Sequence, residues 1–271
     1  MFLKEKSLSF RILSPCTLDC KLCVTGSPLY KRKGCHYYTS LEDYQCELDV
    51  AFQIYDYIEC VNMTGGEPML HKQLPEIIAY TLQKYSAKFQ RFRLTTNGTI
   101  LPSQSLIDAV RINAKDNFEV LIDDYGVLSE ERIAETAEKF EKAGIHCLVR
   151  NYRDSNQHCG GWVDFGPFDT YRNYSDEKLQ EIISTCHDAN WKSLVASKGK
   201  LFLCSRASSG YDLQFFDLKP GEYIDLFDTT QPLADKREIA AALGSKAINA
   251  CKYCNGFDVE HSRRFPAGEQ Y

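Results

Sequence analysis

Between residues 7 and 150 five short apolar runs alternate with four amphipathic stretches, and that alternation constrains the fold more than any other feature. Parallel strands need a long crossover between them, usually a helix, so the pattern predicts βα units and not hairpins. Leu8, Phe10 and Ile12 alternate as in a strand. Residues 40–56 read as a helix opened by Ser40, and "YIECVNM" reads as a second strand ending in "TGGEP". A helix follows with Leu74, Ile77, Ile78, Leu82 and Tyr85 on one face and Pro75 in its first turn, where a missing N–H is harmless. "RFRLTTNG" is a third strand and turn. A helix from about Pro102, a strand "FEVLI", a helix from Ser129 closed by Gly144 and a strand "IHCLVR" complete five units, with no sixth marked.

Past Arg150 the pattern breaks. "NYRDSNQHCGGWVDFGPFDTYRNY" is rich in Gly, Asn, Asp and aromatics and holds no period. A helix from Ser175 follows, then two strand-like runs around "ASKGK", which reads as a hairpin turn. A helix near 231–243, the pair "CKYC" and a polar tail end the chain.

Composition narrows the chemistry. At 271 residues the chain can bury a full core, and no run approaches the ~18 apolar residues of a membrane span. A formal charge of −5, with "KRK" at Lys31–Lys33 as the only basic block, argues against nucleic acid as a partner. Residues 1–15 carry Lys4, Lys6 and Arg11 and no apolar export core, so the twelve cysteines are expected to be reduced thiols in a cytoplasmic protein.

Cys16, Cys20 and Cys23 stand together in "CTLDCKLC", directly after the first strand. Three thiolates can hold three irons of a cubane 4Fe-4S cluster and leave the fourth open to another ligand. A structural zinc site would close at four ligands, usually in Cys-x2-Cys pairs.

These stretches resemble a family. "CTLDCKLC" is similar to the Cys-x3-Cys-x2-Cys signature of radical S-adenosylmethionine (SAM) enzymes, "TGGEP" to their glycine motif at the methionyl amine, and "LTTNG" to their third-strand motif. The resemblance implies an α/β fold, a partial (β/α)6 TIM-like barrel over about residues 7–165, with SAM chelating the open iron. It implies that Cys16, Cys20 and Cys23 hold the cluster, that Gly65, Gly66 and Glu67 lie at the methionyl amine, and that Asn97 lies near the ribose, with Asp123 as a further ribose contact. Leu22 stands where an aromatic residue commonly packs on adenine, so it would pack there with less stacking. Side-chain-free Gly65 and Gly66 would let backbone amides approach the cofactor. Homolytic SAM cleavage also calls for a low-potential electron donor, such as a flavodoxin or ferredoxin.

A second set comprises Cys186, Cys204, Cys251 and Cys254. By itself Cys186 reads as a core thiol on the stripe of Leu179, Ile182 and Ile183. Together the four resemble the twitch domain, a shortened SPASM domain in which four cysteines hold an auxiliary 4Fe-4S cluster. The alternative is a zinc knuckle, since four thiolates also suit zinc. The resemblance divides the chain into a barrel over 1–165 and a small C-terminal β-hairpin/helix auxiliary domain with the tail over 166–271. Cys35, Cys46, Cys60 and Cys147 have no ligand spacing, whereas Cys159, in "QHCGGW", follows the fifth strand near the mouth of the barrel.

The whole layout is similar to twitch-domain radical SAM dehydrogenases that oxidise a hydroxyl of an aminocyclitol. The expected function is therefore an oxidoreductase with SAM and two 4Fe-4S clusters, acting on a sugar, aminocyclitol or similar small polar substrate. Epimerase, dehydratase and peptide-modifying chemistry are the alternatives within the family. Outside enzymes, the rival is an iron–sulfur or zinc-binding interaction protein, which would not need "TGGEP" and "LTTNG" at barrel positions. Candidate substrate-handling residues are Arg150, His158 and Cys159, with Arg150 also readable as an ion-pair partner and Cys159 as a hydrogen-atom donor.

Overall fold

Strand β1 (Lys4–Arg11) lies in the interior of an eight-stranded sheet. The computed structural model describes residues 2–114, 116–127 and 130–271. After β1 come α1 (Ser27–Lys33), α2 (Leu41–Ile54), β2 (Tyr57–Thr64), α3 (Leu74–Tyr85), β3 (Phe89–Thr96), α4 (Gln104–Asn113), β4 (Phe118–Asp124), α5 (Glu130–Lys142) and β5 (His146–Asn151). The remainder adds β6 (Trp162–Val163), α6 (Asp176–Thr185), α7 (His187–Asn190), β7 (Ser193–Ser197), β8 (Lys200–Phe202), α8 (Ser205–Asp212), β9 (Tyr223–Asp225), α9 (Leu233–Ala242) and β10 (Arg264–Phe265).

The sheet order is β5-β4-β3-β2-β1-β7-β8-β9. Strands β1 to β5 pair in parallel, β7 pairs in parallel with β1, and β8 and β9 continue antiparallel. This is the large parallel sheet of a partial TIM-like barrel. All seven residues of β4 are buried, as a parallel strand covered on both faces requires. The sixth parallel strand does not follow β5 in space; it is β7, on the other side of β1, so the sheet runs unbroken across residue 165. β6 pairs only with β10, in a separate two-stranded sheet.

Serine caps set the helix starts. Ser40, Ser103 and Ser175 each accept the backbone N–H three residues on, at 3.0, 3.2 and 3.3 Å. Because Ser103 caps α4, that helix opens just past the expected Pro102; the expected start of α5 at Ser129 lies outside the described residues. In the β7–β8 turn, Lys198 and Gly199 both have positive φ, 51° and 75°, the pattern of a two-residue hairpin. Cys186 is not on the stripe of α6: the helix ends at Thr185, and Cys186, with ψ 116°, leaves it to become the N-cap of α7. Among the described residues no helix is long and apolar enough to cross a membrane.

Candidate active site

The ends of β1 and β2 meet through close contacts that only glycine permits. A Cβ on Gly66 would lie 1.9 Å from the Pro15 carbonyl oxygen, and one on Gly65 would lie 2.6 Å from Leu13 Cδ2. The Gly66 N–H donates to the Leu13 carbonyl at 3.0 Å and the Glu67 N–H to that of Pro15 at 2.9 Å. The chain entering the cysteine loop therefore rests on the end of β2, and the Gly66 amide is engaged within the chain.

Glu67 carries this junction to β3. Its buried carboxylate accepts from the Met69 N–H at 3.0 Å, the Thr96 hydroxyl at 2.8 Å and the Asn97 N–H at 2.8 Å. Burial pushes its carboxyl up to about 7, against those hydrogen bonds, which pull it down. Asn97 in turn donates through Nδ2 to Thr17 Oγ1 at 3.1 Å and to Cys16 Sγ at 3.5 Å, and its Oδ1 accepts from Thr99. On β4, Asp123 accepts two parallel bonds from Arg150, at 2.6 and 2.8 Å, plus the Tyr125 hydroxyl at 3.3 Å. Burial weakens the Arg150 guanidinium, but Asp123 more than offsets that and holds it above its ordinary range. An arginine so paired stays charged and is no base.

In the loop, Cys20 is buried and Cys16 and Cys23 are partly exposed, and the three thiols interact electrostatically. Burial pushes Cys16 up to about 12 and Cys20 to about 11, so both are thiols at neutral pH until a bound cationic centre compensates. Cys23 Sγ lies 3.1 Å from Thr25 Oγ1. The Thr25 carbonyl accepts from Arg11 at the end of β1, a buried guanidinium that also reaches Tyr30, Ser197, Ser208 and Ser209. Residues 269–271 pack on the same loop, with Gln270 Nε2 donating to Cys20 Sγ at 3.1 Å.

The second set surrounds a cavity. Cys186, Cys204, Cys251 and Cys254 all line it, between the apolar side chains of Ile182, Ile183, Leu203 and Ile248. Cys204 is the N-cap of α8, where its sulfur accepts the Ala207 N–H at 3.4 Å, and Cys254 accepts the Gly256 N–H at 3.3 Å. The first of these, at the N-terminus of α8, favours thiolate. Burial dominates and raises all four thiols, Cys251 to about 12. Among the described residues no three His, Cys, Asp or Glu side chains are gathered as for a single metal ion. A zinc ion draws thiolates to about 2.3 Å; a cubane interposes its own irons and sulfides between them. The donor chemistry of both sets, thiols alone, fits iron–sulfur clusters.

A larger cavity of about 380 Å³ is lined by Cys20, Leu22 and Cys23 on one side and by Phe165, Phe168 and Arg206 on the other. Phe165 and Arg206 also line the four-cysteine cavity, so the two spaces adjoin. Arg206 is 4% exposed and bonds to the Tyr253 and Pro167 carbonyls, with no carboxylate in ion-pair reach among the described residues. Gly65, Gly66, Glu67, Asn97 and Asp123 line neither cavity. His158 and Cys159 sit in an exposed turn, also outside both; Cys159 has φ 52° and His158 meets the Tyr152 ring edge-on at 5.7 Å. Sequence reasoning missed Arg11, Arg206 and Gln270, which belong to no motif, and Thr17, a variable position inside "CTLDCKLC".

The sequence pattern of the Radical SAM superfamily matches residues 12–150, more than half of the chain. The chain belongs to that superfamily. Membership implies SAM and a 4Fe-4S cluster. A probable GTP 3′,8-cyclase of Sulfolobus acidocaldarius is 30% identical over 132 residues, 46% of this chain and 41% of that protein. The chain thus spans less than half of its curated relative. Among solved structures, SuiB of Streptococcus suis, 16% identical, shares 68% of this chain and 36% of its own at a TM-score of 0.41. BtrN, in complex with AdoMet and 2-DOIA, is 14% identical and matches 100% of this chain and 98% of its own at a TM-score of 0.48.

Proposed function

We propose that this radical SAM protein is an oxidoreductase of the twitch type, with its barrel over 1–165 and an auxiliary-cluster domain over 166–271. Cys16, Cys20 and Cys23 hold the cluster that SAM completes, and Cys186, Cys204, Cys251 and Cys254 hold an auxiliary 4Fe-4S cluster. When bound, these groups supply a hydrogen-abstracting radical from SAM and a one-electron acceptor for the oxidised substrate. The observation that carries the reading is the adjoining pair of cavities. A space of about 380 Å³, the size of a small-molecule site, touches Cys20 and Cys23 at one end and shares Phe165 and Arg206 with the four-cysteine cavity at the other. Asp123 with Arg150, and Glu67 with Asn97, order the barrel mouth around the cofactor, and Leu22 packs its adenine. The buried Arg206 offsets the negative charge of four thiolates. The substrate is a sugar, aminocyclitol or similar polar molecule, and a flavodoxin or ferredoxin is the reductant.

Anaerobic reconstitution tests the cofactors: about eight irons per chain support the reading, and four irons with one zinc sink the auxiliary cluster. With candidate polyols, one 5′-deoxyadenosine should form per oxidised product and carry the substrate's carbon-bound deuterium. A product of unchanged mass that takes up one deuterium from heavy water, and stops doing so in Cys159→Ala, would replace oxidation with epimerisation.

A further inference from the structure

The segment Arg264–Tyr271 reaches the cysteine loop by a path fixed at every step. β10 pairs with β6, the Ala267 N–H donates to Gln157 Oε1 at 2.8 Å, and Gly268, at φ 72°, lies so close to Tyr125 that a Cβ would come within 2.6 Å of it. The chain then runs antiparallel to the loop: Lys21 N–H donates to the Glu269 carbonyl at 2.8 Å, Cys20 bridges Gln270, and Tyr271 N–H donates to the Asp19 carbonyl at 3.0 Å. The Arg32 guanidinium covers the Tyr271 ring at 3.8 Å.

This docking also fixes which way the Gln270 amide points. The Asp19 N–H, a donor, lies 2.7 Å from Oε1, so that atom must be the oxygen; Nε2 then faces Cys20 Sγ at 3.1 Å and the Gly268 carbonyl at 2.5 Å. A glutamate of the same shape keeps the bond from Asp19 and loses the donor to sulfur. Cys20 is 5% exposed, so this bond is poorly screened by water.

We infer that Gln270 is a positioning residue whose N–H to the Cys20 sulfur raises the reduction potential of the cluster held by Cys16, Cys20 and Cys23. The inference rests on those three cysteines being the cluster ligands. A donor to a ligating sulfur stabilises the reduced, more negative cluster over the oxidised one. The residue thus sets how readily the first electron arrives, from a position about 250 residues along the chain from the sulfur it touches.

The test is a redox titration of the reconstituted full chain at pH 8, read by electron paramagnetic resonance. Gln270→Glu should retain its iron while the reduced fraction at a fixed potential falls about tenfold, a shift of about 59 mV for one electron. Gln270→Ala should move the same way by less, since it adds no charge. An unchanged midpoint in Gln270→Glu with iron retained overturns the inference. If neither variant holds iron, native chain with 15N in its glutamine side chains decides: a nitrogen coupled to the reduced cluster supports the bond, and no coupling overturns it. Survival of SAM cleavage in a chain with Cys16, Cys20 and Cys23 all changed to Ala would refute the ligand assignment itself, a result distinct from an unmoved potential.

Discussion

The two cysteine sets are built by opposite means. The first lies within eight residues of sequence, on a loop with little structure of its own, held by Asn97 at Cys16 and Gln270 at Cys20 from elsewhere in the chain and by the nearby Thr25 at Cys23. The second is gathered from residues 186 to 254, at helix ends, against apolar walls. On the function proposed above, three thiols on a loop would leave one side of a bound cluster accessible, and the loop relies on bonds to its sulfurs to stay in place. Four thiols from α7, α8 and the turn at 249–254 line one cavity, and the packing that assembles the fold also assembles that cavity. The function proposed above accordingly assigns reactivity to the first region and storage of an electron to the second.

The largest effect that would break this contrast comes from the loop. Changing Cys16, Cys20 and Cys23 together to Ala should abolish 5′-deoxyadenosine formation while the visible spectrum of the second cluster persists; surviving cleavage would reverse the two roles. Cys204→Ser should leave SAM cleavage running but lower substrate oxidation by about a hundredfold or more, as losses at a metal centre do. Equal loss of both activities would show that the second set serves the first directly.

Smaller effects sharpen the comparison through stability. Gly66→Ala forces a methyl onto the Pro15 carbonyl beneath the loop and should destabilise the chain by about 3 kcal/mol in denaturant unfolding. The smallest, counted per pH unit, concerns the β7–β8 turn. Glu47 on α2 is buried, accepts the Gly199 N–H of the β7–β8 turn, and is pushed by burial up to about 8. Because its folded pKa is raised, its stabilising contribution is complete below the unfolded value near 4.5 and is lost as pH rises through about 8. Stability should therefore decline from pH 5 to pH 8, by up to about 1.4 kcal/mol per pH unit for one proton. Glu47→Gln should flatten that slope in unfolding curves measured across the range.

What could be read in advance divides along the same line. Alternating apolar residues and capping serines marked β1 to β5 and their helices because those signals are local, and "CTLDCKLC" marked the loop for the same reason. Cys186 misled: it keeps the spacing of the α6 stripe one residue past the helix end, where periodicity no longer fixes direction. The pairing of β7 with β1 left no trace, since Ser7 and Ser193 meet across 186 residues and either strand alone reads as an ordinary apolar run. Nor did Arg11 or Gln270 stand out, because each takes its meaning from partners more than 180 residues away.

The interior position of β1 also bears on synthesis. One flank of this strand receives β2 almost at once, but its other neighbour, β7, is made 186 residues later, by the register of Ser7 on Ser193. At ribosomal rates of about 5–20 residues per second, that flank stays unpaired for roughly ten to forty seconds. Throughout the interval the nascent chain presents an open parallel edge, and the triple-thiol loop that follows β1 hangs from a half-built sheet without the segment 269–271 that later bonds to it. High contact order of this kind makes folding slow. On the function proposed above, iron loading of the loop should follow completion of this sheet, so expression at reduced temperature, with iron supplied late, should give the higher occupied fraction.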